Sequence, residues 1–186
     1  MVSKYFQESH RQRYTADAIL VKEYDVDGGR RVKVRTDHLS LVAYPSQDVV
    51  RRGNRLTLVL KVELPEKMHV YAPRVQGYLP VAFSVQESQH VRAHEAEFPQ
   101  AEVLHLPAIQ ESVPVYHDSF RVTRDITISP KFRGTDLQIP ALFEYQACDD
   151  RICYPPQKVP LTFSIRLKEH DSGRVPETMR KRGWDQ

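Results

Sequence analysis

The chain has two cysteines, Cys148 and Cys153, with Asp149-Asp150-Arg151-Ile152 between them. Two thiols this close can close a structural disulfide, cycle between dithiol and disulfide by exchange with a partner, or supply half of a tetrahedral metal shell. Metal binding has the least support, because the eight histidines show no ligand spacing. A run ending in FEYQA precedes the pair, and Tyr154-Pro155-Pro156 followed by VPLTFSI comes after it. The cysteines therefore flank a turn between two antiparallel strands, where their Cα atoms can come within bridging distance.

As a staple the bridge is poorly placed. In the chain-entropy model, closing so short a loop contributes roughly 2 kcal/mol, against about 4.7 kcal/mol for a loop of 100 residues. Nor is it the bridge that links the two sheets of antibody domains, which joins strands distant in sequence. A thioredoxin-like site has two intervening residues and a helix dipole that lowers the first thiol's pKa. Here prolines follow and no helix can start. Asp149 and Asp150 disfavour a thiolate, Arg151 offsets part of their charge, and no histidine neighbours either cysteine in the sequence. Both thiols are expected to titrate near or above the free value of about 8.5. Such a pair exchanges best when a partner supplies the reactive thiolate or disulfide. The residues alone leave two readings open: a redox relay, and a non-catalytic binding or adaptor domain with a structural bridge. A hydrolase has no support, for there is no nucleophile elbow or phosphate-binding loop among only seven glycines.

The elements that must position the pair read as strands. Apolar and polar residues alternate at Leu39, Leu41 and Ala43, and at Leu56, Leu58, Leu60 and Val62; Val70, Val81, Phe83 and Val85 follow. The pattern continues through Phe120, Val122, Ile126 and Ile128, then Leu142, Phe143 and Tyr145, then Leu161, Phe163, Ile165 and Leu167. Prolines and glycines punctuate these runs, and no proline-free stretch carries a helical stripe. The fold expected is all-β, an immunoglobulin-like β-sandwich.

Residues 38–168 form the sandwich in this reading. Residues 1–37 are a linker with an appended N-terminal β-hairpin, whose turn is Asp27-Gly28-Gly29. Residues 169–186 are a polar tail expected to be mobile, ending in a basic cluster too small to argue strongly for an acidic partner or membrane surface. A net charge of +3 with both signs mixed does not suggest a nucleic-acid surface. No apolar run approaches a membrane span, and the start MVSKYFQESHRQRY has no signal-peptide core; that start also has no fold of its own, so the chain is expected to be cut from a longer protein, while its location cannot be read directly from the residues. No cofactor is expected.

At CDDRICYPP the chain resembles the N-terminal periplasmic domain family of the thiol:disulfide interchange protein DsbD, also called the disulfide-bond corrector domain family. The resemblance runs from about His38 to Leu167, with KMHVYA (67–72), VPVYHDSFRVTRDITI (113–128) and YQACDDRICYPPQKVPLTFSI (145–165) as its best segments. It implies an immunoglobulin-like fold, a periplasmic or otherwise extracytoplasmic location, and electron relay through Cys148 and Cys153 to or from a thioredoxin-like partner. It also implies that Cys153 exchanges and Cys148 resolves. Four residues separate the cysteines here, where the best-known members have five. By position, 113–117 matches the family's cap loop, which makes Tyr116, with Val115 beside it, the expected lid over the disulfide. His69 and Tyr71 match aromatics that line the site, with His in place of a phenol, and Tyr154 is placed to shield Cys153. RYTADAILV (13–21), AYPS and LPAIQESVPVYHDSF resemble forms in which this domain follows a peroxiredoxin-like or other thioredoxin-like domain, which would put the partner in the same polypeptide.

Overall fold

The computed structural model describes residues 21–24, 31–106 and 110–169. Every element among them is a strand. In chain order these are β1 (Val21–Tyr24), β2 (Val32–Arg35), β3 (Ser40–Pro45), β4 (Val49–Arg51), β5 (Arg55–Glu63), β6 (His69–Tyr71) and β7 (Ala82–Val85). There follow β8 (Val91–Glu97), β9 (Glu102–Leu106), β10 (Glu111–His117), β11 (Ser119–Ile128), β12 (Asp136–Tyr145), β13 (Ala147–Cys148) and β14 (Gln157–Lys168).

Alternation sorts side chains to the two faces of each strand. In β12, Leu137, Ile139, Ala141, Phe143 and Tyr145 point inward, and in β14 Val159, Leu161, Phe163, Ile165 and Leu167 do the same. Strand β12 pairs along its full length with β14, and the two carry the sheet β4-β14-β12-β7. Leu142 is out of phase with its neighbours and lies on the outer face; Ala141 takes the core position. Opposite stands the sheet β1-β2-β3-β5-β11-β8, whose Leu41, Leu58, Leu60, Val62, Val122 and Ile126 close the same core. The result is the immunoglobulin-like sandwich expected.

The N-terminal hairpin extends this sheet. Strands β1 and β2 pair antiparallel, β2 pairs in turn with β3, and Val34 is buried in the core. Its Asp27-Gly28-Gly29 turn and residues 170–186 of the expected tail lie outside the described residues.

A third sheet, β13-β6-β10-β9, caps one end of the sandwich. It is built where strands of the two large sheets run on. Strand β10 passes into β11 through the single residue Asp118, at φ 57°, whose carbonyl accepts the Leu64 N–H at 2.6 Å. Strand β12 passes into β13 through Gln146. The crossing is pinned by Tyr145, a fully buried ring whose hydroxyl hydrogen-bonds the Thr36 hydroxyl at 2.7 Å, and whose pKa burial pushes up to about 12. The cysteine turn thus projects from the end of the longest strand pair among the described residues.

Candidate functional site

Register decides which residues meet at this end. Strand β6 lies between β13 and β10, pairing Cys148 with His69 and Ala147 with Val70 on one side, and His117 with His69, Tyr116 with Val70 and Val115 with Tyr71 on the other. Directly paired residues share a face and successive residues alternate. Cys148, His69, His117, Tyr71 and Val115 therefore occupy the outer face of the small sheet. Ala147, Val70 and Tyr116 occupy the inner face and join the sandwich core.

Hydrogen bonds brace the cysteine turn alongside the disulfide. Asp149 N–H donates to the Ile152 carbonyl (2.9 Å) and Tyr154 N–H to the Ala147 carbonyl (2.8 Å), which closes the antiparallel bridge between Cys148 and Cys153. Asp149 Oδ1 accepts the N–H groups of Arg151 and Ile152 at 2.7 and 2.8 Å, the usual way an aspartate organises a turn. Its Oδ2 accepts the Tyr154 hydroxyl at 2.8 Å. The Ile152 and Arg151 amides, then the phenol, hold the Asp149 carboxyl below its ordinary value. Tyr154 stacks on His38 at 4.2 Å, so it braces the turn from the side. With the Cα atoms 4.0 Å apart, Cys148 and Cys153 are joined by a disulfide.

The two sulfurs sit in unlike surroundings. Cys148 is 1% exposed, within an apolar cluster of Tyr71, Val113 and Val115, whereas Cys153 is exposed at the turn's edge beside Ile152, 56% exposed. The Tyr71 hydroxyl lies 3.8 Å from Cys153 Sγ. Residues 73–80 fold back over this face: Tyr78 stacks on Tyr71 at 4.3 Å, and Val75 packs on the cluster. Arg74 and Gly77, at φ 68° and 80°, make the left-handed bends this requires. The Tyr78 hydroxyl donates to Glu111 Oε2 at 2.6 Å, which fixes the flap to β10 and pushes the phenol's pKa up to about 12.

His69 is 7% exposed, its ring edge-on to Tyr71 at 5.6 Å, and its Nε2 has no hydrogen-bond partner. Burial lowers its pKa, against the pull of Asp150 and Asp149. His117 differs: its Nε2 bonds Glu102 (2.8 Å) and its Nδ1 bonds Asp118 (3.0 Å), and these two carboxylates, Glu102 first, raise its pKa.

Of the residues singled out from sequence, Cys148, Cys153, His69, Tyr71 and Val115 come together, and Tyr154 joins them through the turn. Tyr116 does not. Its ring stacks on Phe120 at 4.6 Å in the core and its hydroxyl donates to the Pro99 carbonyl at 2.8 Å, on the face of β10 away from the disulfide. The aromatic over this face is Tyr78, from a Pro- and Gly-containing loop that carries no strand pattern. A second correction concerns histidine: none neighbours the cysteines in sequence, yet pairing of β6 with β13 sets His69 directly across from Cys148.

The family model for the N-terminal domain of the thiol:disulfide interchange protein DsbD matches residues 42–164, more than half of the chain. The chain belongs to the DsbD N-terminal family. The family and the Cys148–Cys153 disulfide together support a thiol:disulfide interchange module. Among solved structures, the N-terminal periplasmic domain of ScsB from Proteus mirabilis is similar at TM-score 0.50 and 11% identity, over 73% of this chain and 49% of that one. This chain thus spans about half of the ScsB domain. The Neisseria meningitidis DsbD N-terminal domain in its reduced form matches at TM-score 0.43 and 16% identity, over 67% of this chain and 86% of that one. No curated protein matches the chain in sequence. Among the described residues no helix is long and apolar enough to cross a membrane.

Proposed function

We propose that this DsbD-type domain relays two electrons to or from a thioredoxin-like partner in the periplasm, with Cys153 as the sulfur that meets the partner and Cys148 as the resolving sulfur. The observation that carries this reading is the asymmetry of the pair. Exchange requires an incoming sulfur to approach the disulfide in line, and Cys153 lies at the open edge while Cys148 is closed off by the sheet. Ile152 and Leu79, 56% and 50% exposed, give the turn and the flap apolar surfaces for a partner to cover. The Tyr71–Tyr78 stack beside Cys153 acts as a partial screen that a docked partner displaces. A partner carried in the same polypeptide would act at high effective concentration.

The adaptor reading, with a structural disulfide, is opposed by the turn itself, since the Asp149 and Tyr154 hydrogen bonds already hold it. The test is the reduction potential, measured by equilibration with glutathione and with thioredoxin. Exchange predicts a value above about −300 mV; a value well below it marks a structural bridge and removes the relay.

A further inference from the structure

Among the described residues His69 is the buried side chain paired directly across from Cys148, and its Nε2 lacks a hydrogen-bond partner while the cysteines are oxidised. An unpaired buried imidazole nitrogen is unfavourable and calls for an explanation. Residues paired directly across antiparallel strands have Cβ atoms about 4.5–5.5 Å apart and side chains on one face, which sets His69 and Cys148 side by side on the outer face of the small sheet. A disulfide sulfur offers no proton to that nitrogen. The thiol formed on reduction does.

We infer that His69 is the general base for Cys148, taking its proton through Nε2 when Cys148 resolves a mixed disulfide. This inference rests on the relay reading above. In the mixed disulfide, Cys153 Sγ is bonded to the partner's sulfur and Cys148 is a thiol. Nε2 accepts the Cys148 proton, the thiolate attacks Cys153 Sγ, and the bond between Cys153 and the partner breaks. The partner's sulfur leaves with the electron pair and is reprotonated from the imidazolium or water. Cys148 and Cys153 end as a disulfide, and the partner's original disulfide ends as two thiols. In the reverse direction the imidazolium donates to Cys148 as it leaves.

The surroundings suit a base. Tyr71 flanks the ring on its own strand, His117 faces it from β10, and Asp149 and Asp150 face it from the turn after β13. Burial keeps the imidazole neutral, and with its proton on Nδ1 it presents a lone pair at Nε2. The two aspartates stabilise the imidazolium that forms as the proton arrives. Cys153, at the exposed edge, needs no such help because solvent and the partner reach it. One buried thiol and one buried base thus act on the resolving step alone.

The test follows the reduced protein with the chromogenic disulfide dithiobisnitrobenzoate, which releases one coloured thiolate when Cys153 attacks it and a second when Cys148 closes the bridge. In His69→Gln the first release should be unchanged and the second slowed about tenfold or more at neutral pH. The unmodified protein's second step should level off above the lowered His69 pKa. That of His69→Gln should keep rising about tenfold per pH unit until the thiol itself ionises. Equal second steps with the same pH profile would overturn the role of His69. Failure of the unmodified protein to release the first thiolate would instead remove the relay reading. Should His69→Gln not fold, the ring nitrogen resonances of the unmodified protein decide: the Nε2 signal should move on reduction of Cys148, and an Nε2 signal unmoved by reduction would overturn the inference.

Discussion

The two faces of the small sheet β13-β6-β10-β9 are made by alternate residues of the same strands, yet they do different work. The inner face, Val70, Tyr116 and Ala147, is continuous with the sandwich core, and its one polar group, the Tyr116 hydroxyl, is satisfied by Pro99. The outer face, Cys148, His69, Tyr71 and Val115, is a small separate cluster, packed under residues 73–80 and holding a disulfide and an imidazole whose Nε2 has no hydrogen-bond partner. Folding is secured on one side of three short strands, which frees the other side for groups that stability alone would not select. A shift of a single position along β10 exchanges these roles, and this separates Tyr116 from Val115.

Substitutions on the two faces should therefore part company. The largest effect on stability belongs to the inner face: Tyr116→Ala should lose about 3–5 kcal/mol in denaturant titration, as large aromatic truncations in cores do, while folded molecules keep their reactivity at Cys153. If that variant instead kept its stability and reacted faster with small disulfides, Tyr116 would be the lid after all. Next comes the pair itself. Cys148→Ser combined with Cys153→Ser should fold with a loss of only about 2 kcal/mol, because Asp149 holds the turn independently; outright unfolding of the double variant would restore the staple reading. Third, Tyr78→Ala should cost less stability than the double serine variant and yet speed reaction of Cys153 with a small disulfide, measured by stopped flow. An unchanged rate would show that the stack on Tyr71 screens nothing.

The smallest effect is one of pH. Asp149 has its folded pKa below the ordinary value of 3.8, so its contribution to stability is complete above that value and is lost as pH falls through the depressed one. The stability difference between the unmodified protein and Asp149→Asn, followed from neutral pH into acid, should shrink only below about pH 4. A difference that vanished already near pH 6 would place the effect on another group.

Strand phase was legible where partners are local. The long runs of β12 and β14 announce themselves, and the cysteine turn follows from the strands around it. Even the phase of Tyr116 can be read, since Tyr116, Phe120 and Val122 keep one parity through VPVYHDSFRV, and that parity is the core's. Family position suggested a lid and the alternation contradicted it. Two features could not be read. The pairing of His69 with Cys148 depends on the register between segments far apart in the chain, which neither segment encodes alone. Tyr78 sits in a loop whose course is set by left-handed residues at 74 and 77 and by the Glu111 hydrogen bond, none of which leaves a periodic signal. The turn role of Asp149 had a local signal, an aspartate two and three residues before the amides it accepts, although its charge was the feature first apparent.

The central claim, that the open sulfur exchanges and the enclosed one resolves, is tested most directly by trapping. Cys148→Ala and Cys153→Ala, each mixed with a thioredoxin lacking its own resolving cysteine and activated as a mixed disulfide with a chromogenic thiol, are compared by non-reducing electrophoresis. Cys148→Ala should accumulate a stable mixed disulfide through Cys153, and Cys153→Ala should form little or none, because its remaining thiol is buried. Efficient trapping through Cys148 with little through Cys153 would contradict the account.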